Sequence, residues 1–242
     1  METVIRLNSQ TAGREKLFRL CQYSCHFLSS LLANDGKQNE PDLRKIKELE
    51  LILSSTIKLI RFGRCFEMLY SSLNTLSIAD PTIKTTCTLS RISSSLYLFA
   101  DHLLWLSRTG LIDGNSRKWS RLSYRFWLYS ITMNLIRDFY EIRQLIGYHT
   151  RFGISSLPSC RSQRRLNDEQ KMELDLNTLF SILISHRNVT VDTMKNFCDF
   201  WIPLHYLGHI KLHPTLLGFL GMVSSSASII QIIDYTYRLS PS

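Results

Sequence analysis

Polar and apolar positions alternate along most of this chain with a helical period, and one stretch departs from it. From Thr215 to Ile233 no Lys, Arg, Asp or Glu occurs. As helix those residues rise about 28 Å, close to the roughly 30 Å hydrocarbon core of a bilayer. Ser224, Ser225, Ser226 and Ser228 make its middle less apolar than a Leu-rich anchor, and Gly218, Gly221 and Ser225 form a small-residue stripe suited to close helix packing. A buried helix of a soluble domain is the competing reading. Upstream, Arg14 to Leu32 reads as an amphipathic helix, with Leu17, Leu20, Cys21, Ser24, Leu28 and Leu31 on one face and Glu15, Arg19, Gln22, His26 and Ser29 on the other. Pro41 opens a helical stretch that runs to about Ile78, either unbroken or divided near Gly63, and Asp80-Pro81 follows it.

The second half of that stretch carries the sharpest pattern. At 100° per residue, Leu59, Phe62, Phe66, Leu69, Tyr70, Leu73 and Leu76 fall in one arc, Arg61 and Arg64 lie opposite, and Lys58 sits on the flank. Large aromatics on one face and bases on the other fit a helix lying on an anionic membrane, each base contributing about 1 kcal/mol. The same spacing fits a helix packed in a bundle.

Leu89 to Leu111 is a second membrane candidate, but Asp101 near its centre costs about as much as its apolar residues gain. Asp101 and His102 must therefore face a partner helix or lie shallow; as helix neighbours they make a poor catalytic dyad. Ser116 to Gly147 reads as an interfacial or core helix. Its Trp119, Phe126, Trp127, Tyr129 and Tyr140, set among bases, suit a membrane-interface belt better than nucleic acid. Tyr148 to Gln170 reads as a linker, and helices follow over about Glu169 to His186 and Thr190 to Leu207, the latter interrupted at Pro203. Hence the expected organisation is an amphipathic region over 1–80, embedded and interfacial helices over 81–147, a linker over 148–170, and a helical region over 171–242 ending in the membrane helix 215–233.

Composition changes the picture little. The 242 residues carry a formal charge of +9 and 44% hydrophobic content, which excludes a densely polytopic transporter and suggests an anionic partner. Six scattered cysteines and no apolar leader imply reduced thiols facing cytosol, and make the sequon at Asn188 meaningless. His205, His209 and His213 recur every fourth residue, but Pro203 and Gly208 spoil a continuous helix and no acid lies between them, so no metal is expected. No phosphate loop, nucleophile elbow or paired-carboxylate motif occurs, so neither catalysis nor a cofactor is expected.

Several segments in order carry a resemblance: Ala12 to Arg19 with Cys21-Gln22-Tyr23, Arg61-Phe62-Gly63, Asp101 to Leu106 with Gly110-Leu111, Arg137 to Ile142, Cys198-Asp199 to Pro203-Leu204 with Leu207-Gly208, and Gly218 to Ser225. Together they resemble the peroxisomal membrane protein 11 family, in its animal alpha or beta form. The resemblance implies an all-α integral protein of the peroxisomal membrane with cytosolic termini and one or two membrane-embedded helices. It implies a protein that elongates and tubulates peroxisomes before division, self-associates, and recruits a dynamin-related GTPase and tail-anchored fission adaptors; a pore for small metabolites is the alternative. It also tips the Lys58 to Ser77 stretch from bundle packing to membrane insertion, with Lys58, Arg61 and Arg64 expected on anionic lipid. No nucleic acid is expected as partner.

Overall fold

The computed structural model describes residues 7–34, 41–112, 115–153, 185–237 and 239. Among them seven α-helices account for most of the chain, and no strand occurs: α1 (Thr11–Asn34), α2 (Pro41–Ile60), α3 (Arg64–Asn74), α4 (Pro81–Arg108), α5 (Ser116–Gly153), α6 (Arg187–Leu207) and α7 (Pro214–Ile233). Local chemistry sets their ends. Pro81 and Pro214 occupy the first turns of α4 and α7, where a missing N–H costs nothing. Asp80 caps α4, its Oδ1 accepting from Thr82 N at 2.9 Å and Ile83 N at 3.4 Å. The long helical stretch after Pro41 breaks at Gly63, whose φ of 84° lies in the left-handed region that favours glycine. Gly208, also at φ 84°, stops α6.

The helices form a closed ring: α1 packs on α2 and α7, α7 on α6, α6 on α5, α5 on α4, and α4 on α3 and α2. The amino-terminal region is therefore a wall of the same body as the carboxyl-terminal helix, rather than an appendage to it. Two expected boundaries move. Pro203 does not interrupt α6, which runs on to Leu207 with the ring of Pro203 buried; a helix can absorb the loss of one N–H where packing holds both sides. The helix begun at Ser116 continues past Tyr148 to Gly153, since Gly147 alone does not break it. The remainder of the expected linker and nearly all of the helix expected over Glu169 to His186 lie outside the described residues.

Many charged and polar side chains lie inside the ring beside apolar ones, and many large apolar side chains lie outside it. Fully or nearly fully buried are Glu15, Arg19, Asp101, Arg137, Asp138, Asp192, Asn196 and Asp199, whereas Leu28, Leu31, Leu51, Ile52, Phe99 and Phe139 are exposed. In α1 the buried residues are Gly13, Glu15, Arg19, Tyr23 and Ser29, so the polar face points inward. An apolar nucleus remains where Tyr23, Ile202 and Leu217 meet, flanked by Trp127, Leu212 and Met222. One helix among the described residues, α7, is long and apolar enough to cross a membrane. Leu216, Phe219, Ile230 and Ile233 of α7 face outward, while Leu217, Gly218, Gly221, Ser224, Ser225, Ala227 and Ser228 are buried.

Candidate functional site

All seven residues of the apolar arc, Leu59, Phe62, Phe66, Leu69, Tyr70, Leu73 and Leu76, are exposed, Phe66 to 72% and Tyr70 to 70%. Of these, Phe62 also leans on the bundle, its ring 4.8 Å from that of His102 and 6.5 Å from that of Trp105. They lie on the end of α2, the Gly63 turn, α3 and the short 3-10 turn Thr75–Ser77 behind it. The opposite side of α3 is fixed to the ring: Cys65 and Ser72 are buried, and the Cys65 carbonyl accepts from Ser95 Oγ of α4 at 2.7 Å.

Lys58, Arg61 and Arg64 take a different place from that of lipid-facing bases. Lys58 Nζ is 2.8 Å from Asp101 Oδ1. Arg61 bonds Glu15 through Nε at 2.9 Å and Nη2 at 2.8 Å and donates to Tyr97 Oη at 2.6 Å, and Arg64 pairs with the same carboxylate. The three bases turn inward because each finds a carboxylate there. A charge inside an apolar-coated bundle is held only if paired. Burial alone would raise the Glu15 carboxyl, but Arg61, Lys16 and Arg64 overcome it and hold Glu15 well below the usual range.

Asp101 and His102 act as pairing residues between α4 and the end of α2. Besides the Lys58 contact, His102 Nε2 is 3.0 Å from the Arg61 carbonyl and its ring lies 4.8 Å from that of Phe62. Asp101 also lines the internal cavity. Gly218 and Gly221 bring α7 against α1: a Cβ at Gly218 would come within 2.8 Å of Phe27 Cα, and one at Gly221 within 2.2 Å of the Tyr23 ring. Ser225 is buried and returns its hydroxyl to the Gly221 carbonyl at 2.7 Å. The three histidines separate. His205 Nδ1 accepts from Leu212 N at 3.1 Å, His209 lies beyond the left-handed Gly208, and His213 caps α7. Among the described residues no group of His, Cys, Asp or Glu has metal-holding geometry.

Sequence reasoning missed two buried polar clusters. Arg19 Nη2 meets Asp199 Oδ1 at 2.5 Å, and its guanidinium lies 5.5 Å from the ring centroids of both Tyr23 and Trp127. Arg137 bonds Asp138 at 2.9 Å and also Asp192, which Lys195 and Gln231 reach from the other side; Asn196 donates to Asp138 at 2.7 Å. A signal existed, since Glu15, Arg19, Asp138 and Asp199 all lie in segments that carry the family resemblance.

The family model for peroxisomal biogenesis factor 11 (PEX11) matches residues 1–233. The chain belongs to the PEX11 family. The peroxisomal membrane protein 11B of Homo sapiens is 31% identical over the whole of both chains, and the 11A protein of Bos taurus is 34% identical over 96% of each. A yeast relative, the peroxisomal membrane protein PMP30B of Candida boidinii, is 27% identical over 96% of this chain and 94% of its own length. No solved structure matches. PEX11 membership makes this a peroxisomal membrane protein of the biogenesis family, all-α among its described residues, and its relatives are named as membrane proteins.

Proposed function

We propose that the protein remodels the peroxisomal membrane, inserting the outward arc of α2 and α3 into one leaflet to elongate and tubulate the organelle before division. The observation that carries this is the exposure of all seven arc residues on a helix whose other side is pinned to a ring. Burying a large apolar side chain contributes about 1.5–3 kcal/mol, against roughly 1 for a base near anionic lipid. With Lys58, Arg61 and Arg64 engaged inside, apolar insertion outweighs attraction to headgroups, and anionic lipid is a secondary partner. Integral anchoring falls to α7 with α4 as a second embedded helix, since an even number of crossings is what leaves both termini cytosolic. The outer apolar faces give copies of the chain a surface for self-association, and remodelled membrane is where a dynamin-related GTPase and tail-anchored adaptors would be gathered. Proteoliposomes of full-length protein test the reading: tubulation is expected from the natural chain and not from Phe66→Ser/Leu73→Ser. Equal tubulation by both would refute it.

A second reading, a pore for small metabolites, is favoured by one observation, the charged cavity lined by Asp101 inside the ring. In planar bilayers Asp101→Asn should then change ion selectivity, and unchanged selectivity would remove Asp101 from such a role.

A further inference from the structure

A cavity of about 540 Å³, open on one side, lies within the ring and is within the range of small-ligand sites. At its α1–α2–α3 corner five cations face three carboxylates: Lys16, Arg19, Lys58, Arg61 and Arg64 against Glu15, Asp101 and Asp199. The pairing can be followed group by group. Arg19 holds Asp199 and Lys58 holds Asp101, one to one. Asp192, also on the cavity wall, is held by Lys195 and by Arg137, whose other partner is Asp138. Glu15 is left to serve Arg61, Arg64 and Lys16 together. The Lys16 ammonium is 3.7 Å from Glu15 Oε1, the oxygen that Arg61 Nη2 already occupies at 2.8 Å. Glu67 comes within 3.8 Å of Arg64 Nε, but its side chain is 76% exposed and its charge is screened by water.

One carboxylate thus serves three cations. Burial, opposed by Glu15 and reinforced by Arg19 and Arg61, pushes the Lys16 ammonium down to about 8. This corner also reaches the surface: the Lys16 and Arg64 side chains are 25% and 26% exposed, while that of Glu15 is 3% exposed. A route in and an unbalanced charge coincide at the same two residues.

We propose that this corner of the cavity binds a phosphate-bearing anion, with the Lys16 ammonium and Arg64 guanidinium on its phosphate oxygens. A phosphoester carries about one to two negative charges, the size of the surplus, and the guanidinium fork suits its oxygens. The phosphate can belong to a phospholipid headgroup entering from the leaflet or to a soluble phosphoester. The proposal is independent of both the remodelling and the pore readings, since it needs neither curvature nor conduction.

Thermal unfolding of the full-length protein in detergent micelles tests it, with inorganic phosphate, dihexanoyl phosphatidic acid and dihexanoyl phosphatidylcholine as separate probes. The anionic probe that fits is expected to raise Tm saturably, because a ligand that binds only the folded state stabilises it by mass action. Saturation by inorganic phosphate identifies a soluble source; saturation by phosphatidic acid alone identifies a headgroup. Lys16→Met should weaken apparent affinity about tenfold while keeping or raising the unliganded Tm, because Glu15 retains two guanidiniums. The exposed Lys45→Gln should bind as the natural chain does. Absence of a saturable shift with either anion, an equal shift with phosphatidylcholine, or undiminished affinity in Lys16→Met overturns the proposal. Independently of any variant, equilibrium binding of labelled probe to the natural chain should saturate at one per chain, and several per chain overturns it.

Discussion

Arg19 Nη2 and Asp199 Oδ1 stand 2.5 Å apart although 180 positions separate them in the chain. Through this contact α1 is bonded to α6 across the interior of the ring. Both side chains are buried, and removing one leaves the other charge unpaired, which costs about 3–5 kcal/mol. Arg19→Met or Asp199→Leu alone is therefore expected to lower Tm sharply in detergent. The double substitution should recover most of the loss, because an apolar pair buries no charge. Additive losses would show that the contact is not the source of the stability.

Gly221 and Gly147 make a matched test of close packing. A methyl group at Gly221 meets the Tyr23 ring at 2.2 Å, whereas at Gly147 nothing lies within 4 Å. Gly221→Ala should destabilise by about 1–3 kcal/mol as α7 is forced off α1. Gly147→Ala should be neutral or stabilising by up to about 1 kcal/mol, as alanine is the better helix former. Thermal unfolding of the two variants side by side reads the difference.

Exposure of the apolar arc separates its two possible duties. Phe66 and Leu73 are 72% and 59% exposed, so Phe66→Ser/Leu73→Ser should leave Tm in detergent within about 0.5 kcal/mol of the natural chain per site. The same variant should lose tubulation. A large drop in Tm would show that the arc is packing surface in solution.

Glu141 gives the fold a pH dependence. Its Oε1 is buried without a hydrogen-bond partner, and burial, with Asp138 and Asp192 nearby and Arg137 opposing, raises its carboxyl from 4.5 to about 7. The folded chain holds this proton more tightly than the unfolded chain does. Its contribution to stability therefore falls as pH rises between those two values, and the full cost is present above them. Glu141→Gln should flatten Tm against pH over that window and raise Tm at pH near 8, measured by unfolding at a series of pH values.

Much of this was legible in the sequence. The arc from Leu59 to Leu76 and the charge-free run from Thr215 were readable because each is a local period or a local absence. The break at Gly63 was legible only as one of two options, although glycine is the residue that a left-handed turn favours. What a wheel cannot tell is which face is inside. It displayed both faces of α1 correctly, but a rule learned from proteins in water turns the leucines inward, and here Glu15, Arg19 and Tyr23 are the buried ones. The pairing of Lys58 with Asp101 and of Arg61 and Arg64 with Glu15 was illegible for another reason. Contacts between side chains some 40 to 50 positions apart leave no periodic trace. Without them, three bases beside an apolar stripe read as lipid contacts.

The closure of α7 onto both α1 and α6 changes what its removal would mean. Deleting 214–242 would do more than cut a tether, because that helix is also a stave of the wall. With it gone, the polar lining that Ser228 and Gln231 complete would open sideways to acyl chains or water. A truncated chain that washes off membranes would therefore report collapse of the container as much as loss of the anchor, and single substitutions on the outward side of α7, at Phe219 or Ile230, are the way to weaken its grip on lipid with the vessel intact.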